Sequence, residues 1–219
     1  REILGIPAKA IIVLSIGSSY KFQAFGKLDY FAFIRETVRR SAAIHFLIVG
    51  PASTELPWRR ARRRAPGRIH MAGSVSHSEL PLYLAAADLF VDPFPVGGGT
   101  AVVEAILSEI PCLVVDKRLT EFDSYERLTV PHNEVCDRVI AFAENTSIPD
   151  VRHAKEAAQM THCEPQWSAR LAEGLRLVPS RHEPAKGCWE LGLPNEYDEH
   201  LALLQRRNGA VVPTELLPA

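Results

Sequence analysis

Residues 10–16, AIIVLSI, form an unbroken apolar and β-branched run that stops at Gly17-Ser18-Ser19. A run without polar alternation describes a strand buried on both faces, and such a strand requires helices above and below its sheet. The chain supplies them in order. KLDYFAFIRETVRR (27–40) spaces Leu28, Phe31, Ile34 and Val38 as one face of an amphipathic helix. HFLIVG (45–50) and RIHMAG (68–73) read as the next strands, and SELPLYLAAAD (78–88) as a helix with Ser78 as its cap and Pro81 in its first turns. DLFVDP (88–93), TAVVEAILSE (100–109) and PCLVVD (111–116) continue as strand, helix and strand. This rhythm predicts a doubly wound parallel α/β sheet, Rossmann-like, with helices on both faces. Residues 133–144 and 150–176 read as further helices. A body over 1–178 and a C-terminal extension over 179–219 are expected, the extension holding one amphipathic helix in EYDEHLALLQRR (196–207).

A formal net charge of -1 over 219 residues gives no global reason to bind nucleic acid. No apolar run is long enough to span a bilayer. Cys112, Cys136, Cys163 and Cys188 are scattered without a C-x-x-C pair, which reads as reduced thiols in a cytoplasmic protein. His153, His162 and Cys163 lack the spacing of a zinc site. One segment departs from the mixed charge: WRRARRR (58–64) carries Arg59, Arg60, Arg62, Arg63 and Arg64. A solvated helix face is the leading reading, and peripheral contact with an anionic membrane surface the alternative.

The junction DPFPVGGGTAVVEA (92–105) sets three glycines between a strand and a helix. Glycine is disfavoured in regular structure by roughly 0.5–1 kcal/mol relative to alanine, so a run of three needs a reason. Amides at a helix start are unsatisfied and lie at the positive end of the helix dipole. Glycines let a phosphate approach that backbone with no Cβ in the way. Thr100 adds a hydroxyl. Glu104 projects from the same helix face about one turn on, roughly 5–6 Å away, which suits ribose hydroxyls. Taken alone, the loop reads equally well as a flexible turn, because both the P-loop pattern and an opening G-x-G-x-x-G are missing.

The order of elements is more specific. G-S-V-x-x-x-E-L-x-x-Y-L-A-A-A-D-L-F-V-D-P-F-P, then GGGT-x-x-x-EA, then IPCLVV resembles the C-terminal, donor-binding half of a GT-B glycosyltransferase. The D-P-F-P-x-G-G-G-T form resembles most the branch of O-linked N-acetylglucosamine transferase. The resemblance covers about residues 8–118 well and continues loosely to 176. It implies that Gly98, Gly99, Thr100 and Ala101 hold the donor diphosphate and that Glu104 grips the ribose. By the same resemblance Val75 and His77 read and cover the base, and Gly17, Ser18 and Lys21 form the loop that faces the diphosphate. Lys21 is the candidate catalytic residue: a fixed cation stabilises a leaving diphosphate, so no metal or other cofactor is expected.

Two positions depart from the family's pattern. Val96 stands where many retaining enzymes carry a glutamate, which favours inversion, and Gly99 stands where the branch commonly has histidine. A GT-B enzyme also needs an N-terminal acceptor-binding domain, so the chain is expected to be one domain of a longer enzyme, inactive alone. The expected function is transfer of a sugar from a nucleoside diphosphate sugar, UDP foremost, to an unspecified acceptor. The alternatives are a nucleotide-sugar epimerase of the same architecture and a non-catalytic docking module.

Overall fold

The computed structural model describes residues 1–97, 99–116, 128–146, 149–162, 165, 168–169 and 171–173. Six parallel strands form one sheet: β1 (Ile11–Ile16), β2 (Ile44–Val49), β3 (Ile69–Gly73), β4 (Leu89–Val91), β5 (Cys112–Val115) and β6 (Thr129–Val130), in the spatial order β3-β2-β1-β4-β5-β6. The helices are α1 (Tyr30–Arg40), α2 (Leu56–Arg64), α3 (Leu80–Ala86), α4 (Thr100–Leu107), α5 (Val135–Ala143) and α6 (Arg152–His162). The expected doubly wound α/β fold is the one found; β6 is an addition to it. The chain divides into two units, Arg1–Arg170 and Leu171–Ala219. The boundary expected at 178 and the helix expected over 196–207 lie outside the described residues.

The sheet separates two apolar layers. On one face Ile12 and Leu14 of β1 and Leu47 of β2 pack with α3, α4 and α6; on the other Val13, Phe46 and Ile48 pack with α1, α2 and α5. Strand alternation sends neighbouring side chains to opposite layers, so a strand with a layer on each side is apolar along most of its length; the buried polar residues Ser15 of β1 and His45 of β2 each have a hydrogen-bond partner. Asp29 caps α1, its carboxylate accepting from the Ala32 amide at 2.9 Å. The buried stripe of α1 is Tyr30, Phe33, Ile34 and Thr37, while Leu28, Phe31 and Val38 lie partly exposed at its margin. Ile34 lies on the expected face, while Phe31 and Val38 give way to Tyr30 and Thr37, each one position earlier. Ser78 does not cap α3: the helix starts at Leu80, and Glu79 instead accepts from the Ser76 amide (3.0 Å) and hydroxyl (2.6 Å).

At the β3 edge, the rings of His45 (β2) and His70 (β3) stack with centroids 5.3 Å apart, and their Nδ1 and Nε2 atoms lie 3.0 Å apart. Burial is the chief cause that holds both imidazoles below the ordinary histidine range. The Arg68 guanidinium acts in the same direction on His45, and Arg62 on His70. Above about pH 6.5 both states of the chain carry these histidines neutral; below it the unfolded chain takes up protons first. Stability should therefore fall as the pH drops from about 6.5 through the lowered folded-state values. A His45→Gln, His70→Gln double variant should show a flatter acid slope in urea midpoints measured between about pH 7 and 5.

Candidate functional site

The strand order reverses between β1 and β4. Loops leaving the carboxyl ends of two such strands diverge and open a crevice, the usual ligand position in a parallel sheet. From β1 the chain passes Gly17 and the exposed Ser18 into a 3-10 turn, Ser19–Phe22. Phe22 is fully buried, edge-on to Tyr30 at 4.9 Å and to Trp58 at 5.2 Å between ring centroids. From β4 the chain passes buried Asp92 to Phe94, which meets the same Tyr30 ring at 5.0 Å. Tyr30 is fixed in turn by Ser15. The Ser15 hydroxyl donates to the Val91 carbonyl at 2.5 Å, so the Tyr30 hydroxyl is the donor in its own 2.5 Å contact with Ser15 Oγ. Burial pushes the Tyr30 phenol far above its usual range, which keeps that donor protonated.

Seated by these aromatic contacts, the two loops touch directly. Lys21 Nζ donates to the Gly97 carbonyl at 2.8 Å, across 76 residues of sequence. Gly17 leaves room for that lysine: a Cβ on it would sit 3.0 Å from Lys21 Cδ and 3.3 Å from Pro93 Cγ. Gly99, the residue before α4, has φ 60 and ψ -111 and no side-chain cap. An L side chain adopts that conformation only under strain. A Cβ there would meet nothing within 4 Å, so the space above Gly99 is open and its requirement for glycine is conformational. Thr100 is exposed beside it, Ala101 is buried against the core, and Gly98 lies outside the described residues.

One turn along α4, Glu104 lies partly exposed, 3.7 Å from Nδ1 of His77 in the loop after β3. His77 is 88% exposed, so this is a loose approach across the mouth. Val75, in the same loop, packs against the α3–α4 layer. Of the sequence candidates, the structure brings Lys21 onto the glycine loop at Gly97, with Gly17 beside the lysine, and His77 near Glu104; no side-chain hydrogen bond joins Ser18 or Thr100 to the others among the described residues. Ser19 Oγ donates to Glu55 Oε1 at 2.6 Å, and the Ala52 amide donates to the same atom at 2.8 Å, tying the lysine turn to the loop after β2. Sequence reading missed this tie and the aromatic seat. It also missed Gly50, whose φ is 114 and whose Cβ would lie 2.1 Å from the Gly17 carbonyl oxygen. Among the described residues no cluster of His, Cys, Asp and Glu could hold a metal ion. Cys112 is buried beside Asp92 and its thiol is pushed well up, which removes it as a nucleophile.

Residues 11–145, which contain every element of this site, match the family model of glycosyl transferases group 1. The chain belongs to that family. A search of curated proteins finds no significant match. Among solved structures, sucrose-phosphate synthase from Thermosynechococcus elongatus superposes with a TM-score of 0.59 at 18% identity, over 80% of this chain and 47% of that one. A S. aureus TarM structure in complex with fondaparinux, α-GlcNAc-glycerol and UDP gives 0.57 at 15%, over 79% and 37%. A Thermobaculum terrenum O-GlcNAc transferase gives 0.53 at 13%, over 78% and 36%. The chain spans about half the length of these proteins or less. As a group 1 glycosyltransferase domain it carries the GT-B, Rossmann-like fold, and no described helix is long and apolar enough to cross a membrane.

Gly50 and Gly99 both sit at positive φ, but a side chain collides only at Gly50. Gly99→Ala should lower the unfolding free energy by about 1–3 kcal/mol. Gly50→Ala adds a backbone collision and should cost clearly more, measured for both by urea denaturation.

Proposed function

We propose that this domain binds a nucleoside diphosphate sugar, UDP-linked in the first instance, and presents it for displacement at the anomeric carbon. The observation that carries the reading is the Lys21 ammonium resting on the glycine loop at the start of α4, with Glu104 one turn further on. A diphosphate seated at Gly99 and Thr100 would meet the amides of the helix start and the lysine together. As the sugar–phosphate bond breaks, negative charge grows on the departing diphosphate, and a cation already held in place stabilises it without reorganisation. Glu104 accepts from the ribose hydroxyls. Val75 and His77 border the base. The D-P-F-P-x-G-G-G-T motif supports placement near the O-linked N-acetylglucosamine transferase branch, and the UDP held by the similar TarM structure supports the choice of base. In this reading the chain is the donor-binding half, and a second domain supplies the acceptor site and the base.

Calorimetric titration with UDP and with uridine separates the roles. Lys21→Ala should weaken UDP by about tenfold or more and leave uridine unchanged, because the lysine serves only the diphosphate. Glu104→Ala should weaken both ligands by about ten- to a hundredfold, the loss expected for hydrogen bonds to a charged acceptor. Equal effects of the two substitutions on the two ligands would overturn the assignment.

A further inference from the structure

The arginines of α2 play no part in this site. At 100° per residue, Arg59, Arg63, Leu56 and Arg60 fall within about 100° of arc, while Trp58 and Ala65 point to the opposite side. The structure agrees with that geometry: Trp58 (1% exposed) and Ala65 are buried in the α1–α2 layer, and all five arginines are exposed. Leu56, 53% exposed, stands in the middle of the basic arc instead of in the core. None of Arg59, Arg60, Arg62, Arg63 and Arg64 forms an ion pair among the described residues. Placement in the last helical turn satisfies the helix dipole for Arg62, Arg63 and Arg64, but it accounts neither for Arg59 and Arg60 nor for the exposed leucine. A groove of about 560 Å3 leads from this face to the edge strand β3, with Leu4, Pro66 and Met71 lining it beside Arg59, Arg62 and Arg63.

We propose that α2 is a docking face for a bilayer containing anionic phospholipid, with the arginines on the headgroup phosphates and Leu56 seated at the acyl boundary. Charge complementarity selects an anionic partner, and the leucine selects among anionic partners. Lipid offers apolar material for it to enter, whereas a single-stranded nucleic acid is held by exposed aromatic rings, and the aromatic ring of this helix is buried. Because α2 follows β2, Leu56 lies at the same end of the sheet as the lysine and glycine loops.

The test is sedimentation of the full chain with vesicles of phosphatidylcholine alone and with vesicles containing phosphatidylglycerol. Binding should appear only with the anionic vesicles and fall as salt is raised. An Arg59→Gln, Arg62→Gln, Arg63→Gln variant should lose about two orders of magnitude in partitioning, at roughly fivefold per arginine. Leu56→Ser keeps every charge and should lose severalfold more binding than Leu82→Ser, although Leu82, on α3, is the more exposed leucine. Unchanged thermal melts establish that these surface variants are folded, and UDP titration of the same samples reports the nucleotide site independently. The proposal is overturned by equal binding to neutral vesicles, by no binding to either, by a Leu56→Ser variant that binds like the parent, or by tighter capture on single-stranded RNA than on anionic vesicles.

Discussion

One phenol holds the site together. The buried ring of Tyr30 receives Phe22 from the loop after β1 and Phe94 from the loop after β4, while its hydroxyl is locked through Ser15 onto β4 itself. Edge-to-face aromatic contacts carry both area and direction, so they fix orientation as well as proximity. Lys21 is the neighbour of Phe22 and Gly97 lies three residues beyond Phe94. The 2.8 Å contact between them is therefore a consequence of packing beneath the loops, not of the loops' own stiffness. A charged side chain that must meet a developing charge gains most when its backbone is already held by the core in this way.

The same constraint explains the glycines better than flexibility does. Gly17 is bare so that the lysine stem can pass Pro93, and Gly50 is bare because the chain leaving β2 runs against the Gly17 carbonyl. The carboxyl ends of the first three strands are laced further by the Gly17 amide on Val49 and the Gly50 amide on Gly73, at 3.0 and 2.7 Å. Of these three site glycines, Gly99 is the one that faces open space. Two glycines therefore serve the interior of the site and one serves its surface, although they look alike in the sequence.

Apolar runs made β1, β2, β4 and β5 legible, since a strand buried on both sides has almost no other way to be written; the partly exposed edge strand β3, Ile69–Gly73, was legible from its place in the strand–helix alternation. β6 was not legible: it is the pair Thr129–Val130, too short to carry a period. The glycine–threonine–glutamate junction was legible because helix starts advertise themselves locally. Gly50 and the Ser19–Glu55 tie were not, since each depends on a residue far away in the chain. Trp58 reads in sequence as part of a basic stretch and in space as core, because helical rotation, not adjacency, decides which layer it joins.

The two sides of the site also arrive at different times. Lys21 and Gly97 stand 76 residues apart, and the sheet that joins them forms only when β4 pairs with β1. Closing a loop of that length costs about 4 kcal/mol in chain entropy beyond a constant term. During synthesis from the N-terminus, β1, β2 and β3 can pair by shorter closures while β4 is still to come. Until then Phe22 has its partners and Phe94 does not, so half of the aromatic seat precedes the other. The basic helix, finished at Arg64, is complete before any of the glycine loop has been made. A nascent chain would thus present its arginines to the surroundings well before it could recognise a nucleotide.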